Sequence, residues 1–291
     1  MPELPEVETA RALIEACALG RTIAAVDDGD TYVCRPHVPG DIASALVGHE
    51  LTRAGRIGKS MWLETDGGDG PSLGLHLGMA GRIVVVGAEG AAESTAYGGD
   101  PMSPAEAKAA AATGAGAGGH PDPRLSGNPV WTRFALDFED GGALLLFDKR
   151  RLGRAVLNPD LTHLGPDALL VSKAEFRARV GVGEAPLKAR IMDQSVIAGV
   201  GNLLADEALW QARQPPLRPA GDLSGDELGA LWTALRKATK AAMKRGGVHT
   251  GDVIDFRRRD AACPRCGAPM VKAAVGGRTT WWCSAEQAWP H

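Results

Sequence analysis

Chemistry is concentrated in the first eight residues, Met1-Pro2-Glu3-Leu4-Pro5-Glu6-Val7-Glu8. Removal of Met1 would leave Pro2 with a free secondary amine. An α-amino group titrates at roughly 8, so a useful fraction is unprotonated and nucleophilic near neutrality. A secondary amine condenses with an aldehyde-level carbon to give an iminium ion. Glu3 and Glu6 stand beside it as acid/base candidates. The same residues also suit a helix start, with Pro in the first turn and acids on the positive end of the dipole.

Other residue types recur with chemically useful spacing. Lys59 follows the tight turn of Gly55-Arg56-Ile57-Gly58. Met79 lies between glycines in His76-Leu77-Gly78-Met79-Ala80-Gly81, and a basic run occupies Asp148-Lys149-Arg150-Arg151-Leu152-Gly153. In Ala198-Gly199-Val200-Gly201-Asn202 two glycines permit a reversal before a helix, whose bare N–H groups would receive a phosphate. Asn202 can cap that helix or donate to the phosphate. Cys263-Pro264-Arg265-Cys266, with Cys283 further on, has zinc-hairpin spacing. The position where a fourth cysteine is expected holds Glu286, which is able to ligate zinc; His291 is the alternative.

These stretches, in this order, resemble the formamidopyrimidine-DNA glycosylase/endonuclease VIII family, whose N-terminal proline attacks a damaged nucleoside. The resemblance implies that Pro2 is the nucleophile, that Glu3 handles protons and that Lys59 projects near Pro2 and holds phosphate. Glu6 would order the site. Met79 and Leu152 would fill the gap left by an extruded nucleotide, and Arg150 would bond the orphaned base. Lys188, Asn202 and Arg278 would contact DNA, Arg278 from the tip Gly276-Gly277-Arg278-Thr279-Thr280. Leu152 stands in place of an aromatic, and Lys149 in place of a proline, which puts opposite-base preference in question. The segment from Gly246 to Cys263 is shorter than in members specific for 8-oxoguanine. Oxidised pyrimidines or ring-opened purines are therefore the better expected substrates.

The elements needed to place these residues are legible in the sequence. Val7, Ala10, Leu13, Ile14 and Cys17 share a helical face that Gly20 closes. Alternating strands follow at Thr22–Val26, Glu50–Arg56, Lys59–Glu64, Leu73–Leu77, Arg82–Val86, Trp131–Phe138 and Ala143–Asp148. Between them, residues 87–127 form an Ala/Gly-rich insertion with one weak helical stretch, Ser103–Ala112. Helices are expected at Lys173–Val180, Leu187–Gln194, Leu203–Arg213 and Ser224–Arg245. The reading is an α+β fold: a helix-flanked antiparallel β-sandwich (1–158), a helical helix–two-turn–helix domain (159–255) and a zinc-finger-like β-hairpin (256–291).

Composition narrows the function classes. The chain has 291 residues, 44% hydrophobic, with five cysteines and a formal charge of −3. No apolar run is long enough to span a membrane and no basic-then-apolar leader opens the chain. Crowded cysteines suit an intracellular metal site. The acidic balance requires DNA binding to rest on local clusters such as Lys149-Arg150-Arg151 with Arg154, and Arg257-Arg258-Arg259. The expectation is a cytoplasmic, nucleoid-associated monomer that binds damaged double-stranded DNA, carries one Zn2+ and acts as a glycosylase with AP-lyase activity. The rivals are a catalytically weak lesion- or abasic-site-binding paralogue and a zinc-hairpin nucleic-acid protein unrelated to repair.

Overall fold

A computed structural model of the chain describes residues 2–90, 92–94 and 131–289. The expected insertion beyond residue 94, the stretch Ser103–Ala112 and His291 lie outside these residues. The chain divides into two compact units, residues 1–2 with 6–160 and residues 3–5 with 161–291.

The first unit begins with helix α1 (Leu4–Cys17). Its buried Val7, Ala10 and Ile14 recur at three- and four-residue intervals, so one stripe enters the core. Among the described residues nine strands follow: β1 (Ile23–Asp27), β2 (Leu51–Ile57), β3 (Ser60–Thr65), β4 (Leu73–His76), β5 (Arg82–Val86), β6 (Ala92–Ser94), β7 (Thr132–Phe138), β8 (Ala143–Phe147) and β9 (Arg154–Leu157). They form two antiparallel sheets, of order β1-β7-β8-β5-β6 and β2-β3-β4-β9. Period-two alternation along β3 buries Met61 and Leu63, which meet Phe134, Leu136 and Leu146 of the other sheet in one core.

Three elements have no counterpart in the sequence-based expectation: helix α2 (Asp41–Leu46), strand β9 and the three-residue strand β6, which lies inside the stretch 87–127 expected to be an insertion. Helix α2 is one and a half turns long and is capped from a distance. Asp28 accepts from the Gly40, Ile42 and Ala43 N–H groups. Short-range pattern carries no trace of such a cap. Strand β9 is four residues with an arginine at its head, and its register on β4 (Leu73↔Leu157 to His76↔Arg154) is set by the neighbouring strand.

The second unit holds helices α3 (Lys173–Val180), α4 (Leu187–Met192), α5 (Asn202–Gln211) and α6 (Gly225–Arg245), then the hairpin β10 (Met270–Val275) and β11 (Arg278–Cys283). Helix α4 stops two residues short of the expected Gln194, and α5 begins and ends earlier than expected. Every residue from Leu204 to Trp210 is buried, so α5 is the central helix. Phe176, Leu187, Ile191, Leu231 and Leu235 share a core with Leu4. Among the described residues no helix is long and apolar enough to cross a membrane.

Helix α6 starts at a capping box. Ser224 Oγ accepts from the Glu227 N–H at 3.2 Å, and the Glu227 carboxylate accepts from the Ser224 N–H at 2.8 Å. The Arg218 side chain and the Ser224 N–H hold the Glu227 pKa down at about 2. A depressed carboxylate contributes stability above its unfolded pKa, roughly 4.3, and loses it as pH falls through the folded value. Ser224→Ala should therefore cost about 1 kcal/mol at neutral pH. Urea unfolding should show a lower midpoint with an unchanged slope, and Glu227→Gln should weaken the fall in stability between pH 5 and pH 2.

Candidate active site and nucleic-acid interface

Glu3 is fully buried, and its carboxylate sits on the N-terminus of α5. It accepts from the N–H groups of Gly201 (3.0 Å), Leu203 (2.9 Å) and Leu204 (3.0 Å). The N–H groups expected to lie bare for a phosphate are thus taken by this chain's own carboxylate. A helix N-terminus welcomes either anion, and the covalently supplied one has the lower ordering cost. Gly201 is required there, because a Cβ would come within 2.2 Å of the Glu3 carboxyl carbon. Pro2, next in sequence, is also buried.

Lys59 occupies the two-residue turn Gly58-Lys59 between β2 and β3. Arg56 fastens that turn to α1: its Nε donates to Glu8 at 2.7 Å and its Nη1 to the Gly58 carbonyl at 2.9 Å. Neither Arg56 nor Glu8 was singled out from sequence, and an arginine in a strand facing a helical glutamate leaves no local signal. His76, across from Ser60 on β4, accepts from the Gly78 N–H at 3.0 Å through Nδ1. Burial, and then the Lys59 charge, hold His76 below the ordinary histidine range. Glu6 is buried as well.

Met79 and Leu152 are 45% and 39% exposed. Their turns abut: a Cβ on Gly78 would meet the Leu152 carbonyl carbon at 2.4 Å. Asp148 shapes the basic loop. Its buried carboxylate accepts from the N–H groups of Arg150 (2.9 Å), Leu152 (2.8 Å) and Gly153 (2.6 Å), which leaves Arg150 and Leu152 outside. Asp at the head of such a loop is a readable turn signal.

Lys188 does not stand as a surface contact. It is fully buried, with its ammonium 2.7 Å from Asp206 Oδ1, 2.7 Å from Asn202 Oδ1 and 2.8 Å from Thr280 Oγ1. Burial pulls its pKa down despite Asp206, and burial pushes Asp206 up despite Lys188 and Arg257. Asp206 Oδ2 also accepts from Arg257 Nε at 2.8 Å and the Trp281 N–H at 3.3 Å. The network ties α4, α5 and β11 together. An ammonium only donates, so it fixes which end of the Asn202 amide faces inward and leaves the NH2 end for another acceptor. The α5 N-cap itself is Gly201, with Asn202 the first helical residue.

The fingertip Gly276-Gly277 has φ of 56° and 73°, a primed two-residue turn that glycine adopts without strain. Arg278 follows it in an exposed position. At the other end of the hairpin, donor atoms of Cys263, Cys266, Cys283 and Glu286 all lie within 4.8 Å of one another. A tetrahedral zinc with Zn–S near 2.3 Å requires sulfur separations of about 3.8 Å, and Cys266 and Cys283 Sγ lie 3.4 Å apart. Three thiols and a carboxylate fit a structural divalent site. Burial raises the Cys263 thiol, but the Trp210 indole N–H and nearby backbone N–H groups outweigh it and bring it to about 7. Burial and the neighbouring thiols lift Cys283 to about 11. Glu286 is also held by Arg265 at 2.8 Å.

The sequence model of the Formamidopyrimidine-DNA glycosylase N-terminal domain matches residues 1–155, and that of the Formamidopyrimidine-DNA glycosylase H2TH domain matches residues 164–253. The Formamidopyrimidine-DNA glycosylase of Nocardioides sp. is 32% identical, covering 100% of this chain and 96% of the relative. That of Roseiflexus sp. is 32% identical, covering 97% of this chain and 98% of its own length. The MutM (Fpg) structure from Thermus thermophilus is 29% identical, covers 100% of both chains and has a TM-score of 0.72. The Lactococcus lactis Fpg, solved with DNA containing an abasic site, shares the fold at a TM-score of 0.74 and 22% identity, over 99% of this chain and 100% of that one.

The buried ion pair gives a sharp expectation. Lys188→Met leaves Asp206 charged and unpartnered on that side, which should cost about 3–5 kcal/mol. Lys188→Met with Asp206→Leu should recover part of that loss in thermal unfolding. A double variant no better than the single one would mean that the pair is not the source of the effect.

Proposed function

Because the chain belongs to the formamidopyrimidine-DNA glycosylase family, we propose that it is a base-excision-repair DNA glycosylase with AP-lyase activity acting on damaged duplex DNA. The observation that carries this reading is the seat of Glu3: a carboxylate fixed by three N–H groups immediately beside Pro2. Pro2 attacks C1′ of the extruded nucleotide, the bond to the damaged base breaks, and the ring opens to an iminium ion. Glu3 passes protons at the sugar oxygen and during the eliminations. Loss of both flanking phosphates, by β,δ-elimination, leaves a one-nucleotide gap.

Lys59, Asn202 and Arg278 hold the backbone around the lesion in this reading, and Glu6 orders the site. Met79 and Leu152 fill the stack while Arg150 bonds the orphaned base. Lys188 acts through Asn202 and the fingertip, with no contact of its own to DNA. The short segment between Gly246 and Cys263 favours oxidised pyrimidines or ring-opened purines over 8-oxoguanine. Cys263, Cys266, Cys283 and Glu286 would hold one zinc, which when bound crosslinks the base of the hairpin and carries no catalytic step.

Borohydride trapping on duplex DNA with a single abasic site tests the reaction class. The untagged protein should give a covalent complex and Pro2→Gly should give none while still binding. Binding without trapping in the native protein would assign it to the lesion-binding class instead. For the metal, Glu286→Cys should slow zinc loss to a chelator, since a thiolate replaces a carboxylate already engaged by Arg265. An unchanged rate would remove Glu286 from the ligand set.

A further inference from the structure

Beside the wedge residues lies an aromatic and basic cluster with no role in the chemistry above. Tyr32 is 49% exposed, and three guanidinium groups surround its ring: Arg35 at 4.1 Å, Arg151 at 5.7 Å and Arg154 at 5.7 Å from its centroid. Arg35 is pinned twice, stacked on the ring and donating to the Tyr32 carbonyl at 2.6 Å. Arg154 donates to the Gly153 carbonyl at 2.7 Å and more weakly to the Tyr32 carbonyl at 3.4 Å. Arg151 is neutralised by Asp30, with contacts of 2.8 and 2.9 Å. Arg35 and Arg154 have no carboxylate partner among the described residues.

Two unneutralised guanidinium groups held in fixed positions are an anion site ready-made. Ordering two free arginines at an interface normally costs side-chain entropy, and here the ring and carbonyls have already ordered them. Carbonyls and an aromatic face engage only part of each guanidinium fork, leaving N–H donors suited to phosphate oxygens. The cluster is continuous with the wedge. Arg154 heads β9 opposite His76 on β4, and Arg151 sits between Arg150 and Leu152 in one loop.

We propose that Tyr32, Arg35 and Arg154 form a clamp for the phosphodiester backbone of the strand opposite the lesion. The proposal rests on the reading of Arg150 and Leu152 as residues facing that strand. In a chain of net charge −3, such a clamp supplies binding charge where the composition as a whole does not.

Salt dependence reads it directly. Every phosphate that the protein ceases to neutralise lowers the slope of log affinity against log salt by about 0.9. Arg35→Gln with Arg154→Gln should lower it by about 1.8 on an abasic-site duplex measured by fluorescence anisotropy. Between about 50 and 200 mM salt the native protein should then lose roughly tenfold more affinity than the variant. Arg35→Lys with Arg154→Lys keeps the charge and should keep the slope. Neutral methylphosphonate links beside the lesion, placed in the undamaged strand, should reduce the native slope to that of the glutamine variant.

An unchanged slope in the glutamine variant would overturn the clamp and leave the face to an acidic protein partner. An equal fall in the lysine variant would assign the effect to local misfolding, and sensitivity only to links in the damaged strand would overturn the choice of strand. Failure of the native protein to trap would sink the enzyme reading alone, because the slope is still measurable on bound duplex.

Discussion

The Glu3 carboxylate on the first turn of α5 is the constraint from which the placement of the N-terminal residues follows. Three N–H groups that would otherwise lack partners receive one buried anion. The approach demands a glycine at 201, and it fixes the backbone from residue 3 onward. Pro2 has little freedom once Glu3 is seated and Leu4 is packed in the core of the same unit. An amine nucleophile depends on placement more than on strength, since well-oriented groups gain most of their rate from geometry. Removing the seat would therefore cost stability at the first turn of α5 and, in the proposed reaction, the placement of Pro2 as well.

The same economy appears in the buried charges of the second unit. Lys188 and Asp206 are both withdrawn from water, a costly arrangement that persists only when every lone pair and proton finds a partner. Here Asn202 and Thr280 accept from Lys188, Arg257 and the Trp281 N–H donate to Asp206 Oδ2, and Asp206 Oδ1 is left with the Lys188 ion pair. A hydrophobic pair could fill the space with less penalty. It could not orient the Asn202 amide or anchor β11 beside it, so the charge is explained by what it aims.

Elements with repeating patterns were legible in the sequence. Helix α3 with its Ser172 cap, the amphipathic α6 and strand β5 follow directly from periodicity and capping residues. What escaped was non-local. The α2 cap comes from Asp28, the Lys59 turn is fastened by Arg56 and Glu8, and Lys188 is buried by partners up to 92 residues away. A lysine beside a phosphate-binding turn looks like a ligand in sequence, because burial is decided by chains that arrive from elsewhere. The bare N–H groups before α5 misled for the same reason, their anion lying nearly two hundred residues upstream. The exposure of Met79 and Arg278 was readable because glycine turns keep such side chains outside whatever the tertiary context.

A two-stranded hairpin is marginal on its own, which makes the fingertip the part of the molecule most in need of support. At its base the donor atoms of three cysteines and Glu286 lie within 4.8 Å of one another, and its middle is tied by Asp206 and Lys188 to two helices. With the middle tied to the helices, a fourth thiolate at the base is less critical than in a finger held by metal alone. Arg265 offsets the charge of the carboxylate that replaces it, and at the same time stacks on Trp210 at 3.9 Å, whose indole N–H donates to Cys263. Arginine and tryptophan side chains thus brace the cluster of Cys263 and Glu286 at one end of the hairpin, and Arg278 lies exposed at the other.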